Sequence, residues 1–569
     1  MPFADWAADA GFKLIQILPV NDTTSHHDWR DSYPYSAISA FALHPIYLRI
    51  ADIRLAALGE DSKREVAAAR LRLDPLPQID HQAVMAAKTA ITRGIFAAAA
   101  EAIVAHPAYQ EFLRDNREWL VPYAAFCVLR DDSGTPDFRK WRRFFTCDPG
   151  EIAGWTAPGH PRFHDTAYHI WLQCELDLQL SDAVAHLHRR GLALKGDLPI
   201  GIDRHSADAW SAPRLFNMDA QAGAPPDAFA AKGQNWGFPT YRWDVMREDG
   251  YAWWRERFQR LSRYFDAYRI DHILGFFRIW QVPADQLEGV MGFFDPARPL
   301  HIDEVCARGI DFDPVRHARP YIREHHIAER FGPEAGEARH HFLDDCGNGC
   351  WKLRDHVATQ RLIDTHFASW DLADPITRDR AGRLRQGLLD CAAEVLFLEA
   401  PGSGGDRFHP RQALQNTKSW QELDAAQRNR IAELHDDYFH HRHEAFWEAG
   451  GLEKLPAMRA ASTMLLCGED LGMVPACVPG VLARLGILSL EIQRMPKTAA
   501  AAWQTRAALV AMSVWKLMML SRAVSTNWAC RMGPCTRSRG SWANTAVPSG
   551  MASMSSERRR PARCARNSS

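Results

Sequence analysis

"SDAVAHLHRRGLALKGDLPIGID" (181–203) holds a change of period in one line. Its first half, up to Gly191, places apolar residues on one face of a helix and ends on a glycine stop signal. Its second half, "LALKGDLPIGID" (192–203), is a short apolar run with acids at its carboxyl end, which reads as a buried strand. The same grammar recurs in "FKLIQILPVND" (12–22), "YFDAYRIDHI" (264–273), "MLLCGEDLG" (464–472) and "LGILSLEIQRM" (485–495). Helical stretches precede most of these runs. "GLEKLPAMRAAS", before Met464, is one such stretch, with Pro456 expected in its first turn. Strands alternating with helices imply an α/β fold on a parallel sheet, open or closed into a barrel. In a barrel, working residues gather at the carboxyl ends of the strands.

Outward from these runs the chain is less periodic. Residues 51–125 read as mostly helical, and 285–460 are rich in His, Arg and acids. With 569 residues, 46% of them apolar, the chain can bury a large core. Its net charge of −1 gives no reason to expect nucleic acid or a membrane surface as partner. No uncharged apolar run approaches the ~18 residues of a membrane span. The 12 Cys include no C-x-x-C pair, which fits reduced thiols. The pairs His325–His326 and His340–His341 and the run His440–His443 lack the spacing of a zinc protease, so no metal is expected there.

The last stretch has another alphabet. Residues 498–569 carry 11 basic residues and one acid, Glu557, leaving 57 basic against 68 acidic in the rest. This abrupt change reads as sequence running out of frame, with a basic nucleic-acid arm as the lesser reading.

Three strand ends carry acids: Asp197, Asp271 and Glu469, the last beside Asp470. Two carboxylates about 5–5.5 Å apart are what a retaining glycosidase or transglycosylase needs, one as nucleophile and one as acid/base. The plainer explanation is that Asp271 pairs with Arg269 and Glu469 caps a turn. A sheet that gathers all three acids into one pocket favours the chemical one.

"GDLPIG" (196–201), "GQNWGFPTYRWD" (233–244), "YRIDHILGFFRIW" (268–280) and "GEDLG" (468–472) occur in that order, after "ILPVNDTTSHHDWRDSYPYSAISAFALHPIYL" (17–48). Together they resemble the 4-α-glucanotransferases, the amylomaltase or disproportionating-enzyme family (glycoside hydrolase family 77), from about residue 3 to Lys497. The resemblance implies a (β/α)8 TIM-type barrel with helical insertions in a cytoplasmic enzyme without cofactor. It implies transfer of α-1,4-glucan units between maltooligosaccharides, with Asp271 as nucleophile and Glu469 as general acid/base. Arg269 would orient Asp271 and hold it ionised, and Asp470 would support the strand end. Tyr35, Asp197, Gln234, Trp236 and His272 match substrate-binding positions. A glucan hydrolase and a non-catalytic glucan-binding remnant are the alternatives.

The 198 positions between Asp271 and Glu469 (469 − 271) resemble the insertion-bearing branch that includes the plant cytosolic disproportionating enzyme. The expected organisation is a first barrel part at 1–284 with a helical insertion at about 51–190. A branch insertion follows at 285–460, then the strands carrying the acid/base at 461–497 and the non-family tail at 498–569. The barrel is expected to be incomplete, lacking its first strand and its last one or two. The family's further catalytic aspartate should fall between about residues 515 and 530, yet the chain has no Asp after Asp470. Activity of this chain is therefore expected to be defective.

Overall fold

The structure is a computed structural model, describing residues 1–370 and 372–490. The five apolar runs form the five strands of one parallel sheet: β1 (Leu14–Gln16), β2 (Ala193–Leu198), β3 (Ala267–Ile270), β4 (Leu465–Gly468) and β5 (Leu488–Ser489). Their order across the sheet is their order in the chain. Each strand follows a helix: α1 (Pro2–Asp9), α2 (Phe163–Arg189), α3 (Ala252–Leu261), α4 (Glu444–Ala460) and α5 (Cys477–Leu485). This is the α/β alternation the sequence implies.

Register sorts the side chains into two faces, because residues paired across parallel strands point the same way and alternate along each strand. Gln16, Lys195, Ala267 and Leu465 share a row, and Asp197, Arg269, Cys467 and Leu488 form the next row on that same face. The opposite face meets the helices through Leu194, Leu198, Tyr268, Ile270 and Leu466, all buried. α3 buries Trp254, Phe258 and Leu261, spaced for one helical face, and the Phe258 ring stacks on Tyr268 at 4.9 Å. Gly196, on this face, approaches Phe265 so closely that a Cβ would fall 2.9 Å from its ring.

α2 ends as its sequence predicts. Gly191 takes φ of 69°, and Leu192 N–H bonds back to the Leu187 carbonyl, closing the last turn. α4 corrects an expectation. It starts at Glu444, so Pro456 lies inside the helix rather than in its first turn. Trp447, Gly451, Leu455 and Met458 line a buried stripe along this helix, and that packing outweighs the hydrogen bond proline cannot make.

Between β1 and β2 run the long helices Glu60–Leu73, His81–Ala105 and Pro107–Ser133, as the helical reading of 51–125 expects. His81–Ala105 is long and apolar enough to cross a membrane by length and composition, but it carries Lys88, Arg93 and Glu101 and so is not an uncharged run. Its Ile91, Ile95, Phe96 and Ile103 pack into the main apolar core. Among the described residues, four antiparallel sheets decorate the chain between β2 and β4. Within 285–460 a separate apolar cluster, Ile322 to Ala392, packs around Ile327, Phe331, Leu384 and Leu388. Other parts of that stretch, such as Phe312, Phe397 and Tyr438, join the main core.

Candidate active site

The chain runs on past the strand ends with its ladder intact. Asp271 N–H donates to the Leu198 carbonyl (2.9 Å), and Glu469 N–H to that of Ile270 (2.8 Å). Asp271 and Glu469 thus stand two residues beyond Arg269 and Cys467, on the same face of adjacent strands. Main-chain hydrogen bonds fix where both carboxylates leave the backbone.

Arg269 organises the cluster. One guanidinium nitrogen donates to both oxygens of Asp197, at 2.7 and 2.8 Å, and another contacts Asp271 Oδ1 at 2.6 Å. Asp197 is fully buried and also accepts the Tyr35 hydroxyl at 2.8 Å. Burial pushes the Asp271 carboxyl up to about 7. The Arg269 guanidinium opposes this, while the charges of Asp197 and Glu469 add to it. Arg269 is divided between two carboxylates, and its pull toward the ionised form of Asp271 is smaller than the opposing effect of burial.

Glu469 is also raised, first by burial, with Arg269 and two backbone donors pulling the other way. Those donors are His272 N–H on Oε2 (2.9 Å) and Leu471 N–H on Oε1 (3.1 Å). Each oxygen keeps a second lone-pair site, so a proton can still be carried there. Asp470 accepts Leu490 N–H at 3.1 Å, which ties the ends of β4 and β5 together, the supporting place expected of it.

His272 has φ of 49° and ψ of 56°, a left-handed backbone that is uncommon for a non-glycine residue. This turn brings its N–H to Glu469 and its ring edge-on to Trp236 at 4.9 Å. Burial pushes the imidazole down to about 4, so it is neutral at physiological pH. Trp236 also stacks near Phe238 and donates to Gln234 Oε1 at 3.0 Å. Gln234 itself is exposed, and that hydrogen bond links it to the cluster.

The loop bearing Tyr35 is held by local acids. Asp31 accepts the N–H groups of His26 and His27, and Asp22 accepts Thr24 N–H and the Tyr123 hydroxyl. Tyr33, not singled out from the sequence, lies 5.7 Å from the Tyr35 ring and is 61% exposed. Partial burial and the charge of Asp271 both raise its hydroxyl. The signal was present in "SYPYSA", where the two tyrosines stand two residues apart.

Seven of the eight expected site residues thus join one network at the carboxyl ends of β2, β3 and β4, with Gln234 at its rim. Such a cluster of acids at parallel strand ends defines the class: α/β proteins that work at the carboxyl face of their sheet. The chain belongs to the 4-alpha-glucanotransferase family, glycoside hydrolase family 77, whose profile matches residues 1–515. It is 40% identical over 493 residues to the 4-alpha-glucanotransferase DPE2 of Oryza sativa subsp. japonica, covering 86% of this chain and 52% of that protein. The 4-alpha-glucanotransferase of Chlamydia muridarum is 31% identical over 300 residues, covering 52% of this chain and 54% of its own length. The chain spans about half the length of the curated relatives it matches. Among solved structures, amylomaltase from Corynebacterium glutamicum aligns with a TM-score of 0.47 at 20% identity, over 86% of this chain and 47% of that one.

Proposed function

We propose that this site performs the retaining double displacement of a cytoplasmic 4-α-glucanotransferase acting on α-1,4-glucans and maltooligosaccharides. The observation that carries the reading is the placement of Asp271 and Glu469 on one face of adjacent strand ends, with Arg269 touching the first and not the second. Asp271 Oδ attacks the anomeric carbon, the glycosidic C–O bond breaks, and the leaving oxygen takes the proton of Glu469. The acceptor hydroxyl then gives its proton to Glu469, attacks the same carbon and releases Asp271. Arg269 faces Asp271 and favours its ionised form against burial, while burial favours the proton on Glu469, which has no such ion pair.

Tyr35, Trp236 and Tyr33 would supply flat faces for sugar rings, with Gln234 and His272 as polar partners at the rim. Acceptor-side rings that exclude water favour transfer over hydrolysis. The five strands, in chain order, would form a sector of a (β/α)8 barrel, with 1–284 and 461–497 as its parts and 285–460 as an insertion. The sequence after Asp470 supplies no further carboxylate except Glu491 and Glu557. The position expected for the family's third aspartate, and the tail at 498–569, lie outside the described residues. On this reading the activity of the chain by itself is defective.

Disproportionation of maltotriose by the purified chain, read as glucose together with longer maltodextrins, tests the reaction. Glucose and maltose alone would instead identify a hydrolase. Asp271→Asn must abolish whatever turnover is seen, and turnover that survives it refutes the assignment.

A further inference from the structure

Far from this cluster, the helix Glu324–Phe331 carries two adjacent histidines in its first turn, and both rings turn toward one carboxylate. Nε2 of His325 lies 2.9 Å from Glu422 Oε1, and Nε2 of His326 lies 2.8 Å from that same oxygen. Neighbouring helical residues normally point about 100° apart. Here the ring centroids are only 4.1 Å apart. Among the described residues these three make a group of metal-capable donors whose ligand atoms all lie within 4.8 Å of one another.

We infer that His325, His326 and Glu422 form a site for a divalent ion of the zinc type, set on the seam between the second apolar cluster and the main one. Two imidazole nitrogens and one carboxylate oxygen are a donor set suited to zinc and its neighbours, and a poor one for calcium or magnesium. Bonds of about 2.0–2.1 Å in a tetrahedron hold ligand atoms ~3.3 Å apart, so each nitrogen needs to move only about half an ångström away from the carboxylate oxygen. Oε2 of Glu422 is already held by the Tyr321 hydroxyl at 2.6 Å, the kind of outer contact that orients a ligating carboxylate.

The charges that oppose a cation are accounted for. Arg316 and Arg323 lie on the Tyr321 ring, and Arg330 pairs with Glu394. His326 Nδ1 is buried without a hydrogen-bond partner, which places affinity about 10–100-fold below that of a site with a complete outer shell.

The placement gives the ion a structural task. The histidines belong to the element that packs Ile327 and Phe331 into the second cluster, while Glu422 sits between Trp420 and Leu423, which pack on the main core. The ion pair of Lys418 with Glu329 (2.9 Å) already crosses this seam. A bound ion would clamp it.

The test uses the whole purified chain, stripped with a chelator and titrated with Co2+, whose visible d–d absorption reports bound geometry, then with Zn2+ to displace it. The expected result is one saturable, zinc-displaceable equivalent. His325→Ala and Glu422→Gln should each abolish it, and Tyr321→Phe should weaken it about tenfold. His325 is 66% exposed, so its variant keeps the fold, which unchanged circular dichroism checks. The exposed pair variant His340→Ala/His341→Ala should leave the band intact. Absence of a saturable band, or a band that survives His325→Ala and Glu422→Gln, overturns the assignment.

Discussion

Asp271→Asn should make the protein more stable at neutral pH while removing its chemistry. The carboxyl is raised from an ordinary 3.8 to about 7 in the fold. Between those values the folded state binds a proton that the unfolded state has released. Stability therefore falls as pH rises through that window and levels off above the folded value. A shift of this size is worth about 4 kcal/mol at 1.36 kcal/mol per pH unit. The side chain is 27% exposed and shares Arg269 with Asp197, so we expect about 1–3 kcal/mol to be recovered. Asparagine keeps an oxygen for the Arg269 contact and leaves the guanidinium with Asp197 as its one ionised partner. Urea unfolding of the two proteins at pH 5, 6, 7 and 8 measures the difference. It should be smallest at pH 5 and reach its full value near pH 8. A variant less stable than the parent at pH 8, or a gain that does not change with pH, would refute the reasoning.

Glu469→Gln should slow transfer from maltotriose about 10²–10⁴-fold yet spare reaction with α-glucosyl fluoride, whose leaving group needs no proton. Equal loss on both substrates would remove Glu469 from the acid role. Tyr35→Phe deletes the 2.8 Å hydrogen bond to buried Asp197 and should destabilise the chain by about 1–3 kcal/mol, read from its urea midpoint. Gly451→Ala sets helix propensity against packing. Alanine gains about 1 kcal/mol in α4, but its Cβ would fall 2.4 Å from the Phe277 ring, so a net loss of about 1–2 kcal/mol in thermal unfolding is expected.

The sheet was legible because each strand is a short apolar run closed by polar residues, and nothing in its surroundings had to be known. The acids at 197, 271 and 469 could be found for the same reason, since a strand end fixes where its next side chain goes. Arg269 could be paired with Asp271 from their two-residue spacing. Its hold on both oxygens of Asp197 through one nitrogen could not, because that contact depends on register across strands 72 residues apart in sequence. The left-handed turn at His272 was likewise invisible, as only the neighbouring Glu469 carboxylate and Trp236 ring give it a reason. Pro456 misled because a helix boundary was read from the proline, while the buried stripe of α4 extends well before it. The histidine pair at 325–326 looked inert as a motif, its third partner lying 97 positions away from His325.

The chain order of the parallel strands also sets a clock. At a synthesis rate of ~5–20 residues per second, the 198 positions from Asp271 to Glu469 take ~10–40 s to emerge. Throughout that interval β3 pairs on one side with β2 and waits on the other for β4. The cluster around Ile327 and Leu388 is complete once Ala392 has been made, so it can fold during the wait and shorten the distance the late strand must search. For a ribosome, the half of the site that carries the nucleophile is an early product and the half that carries the proton a late one. A chaperone that shields a bare strand edge would find a target along Ala267–Ile270 for the whole of that interval.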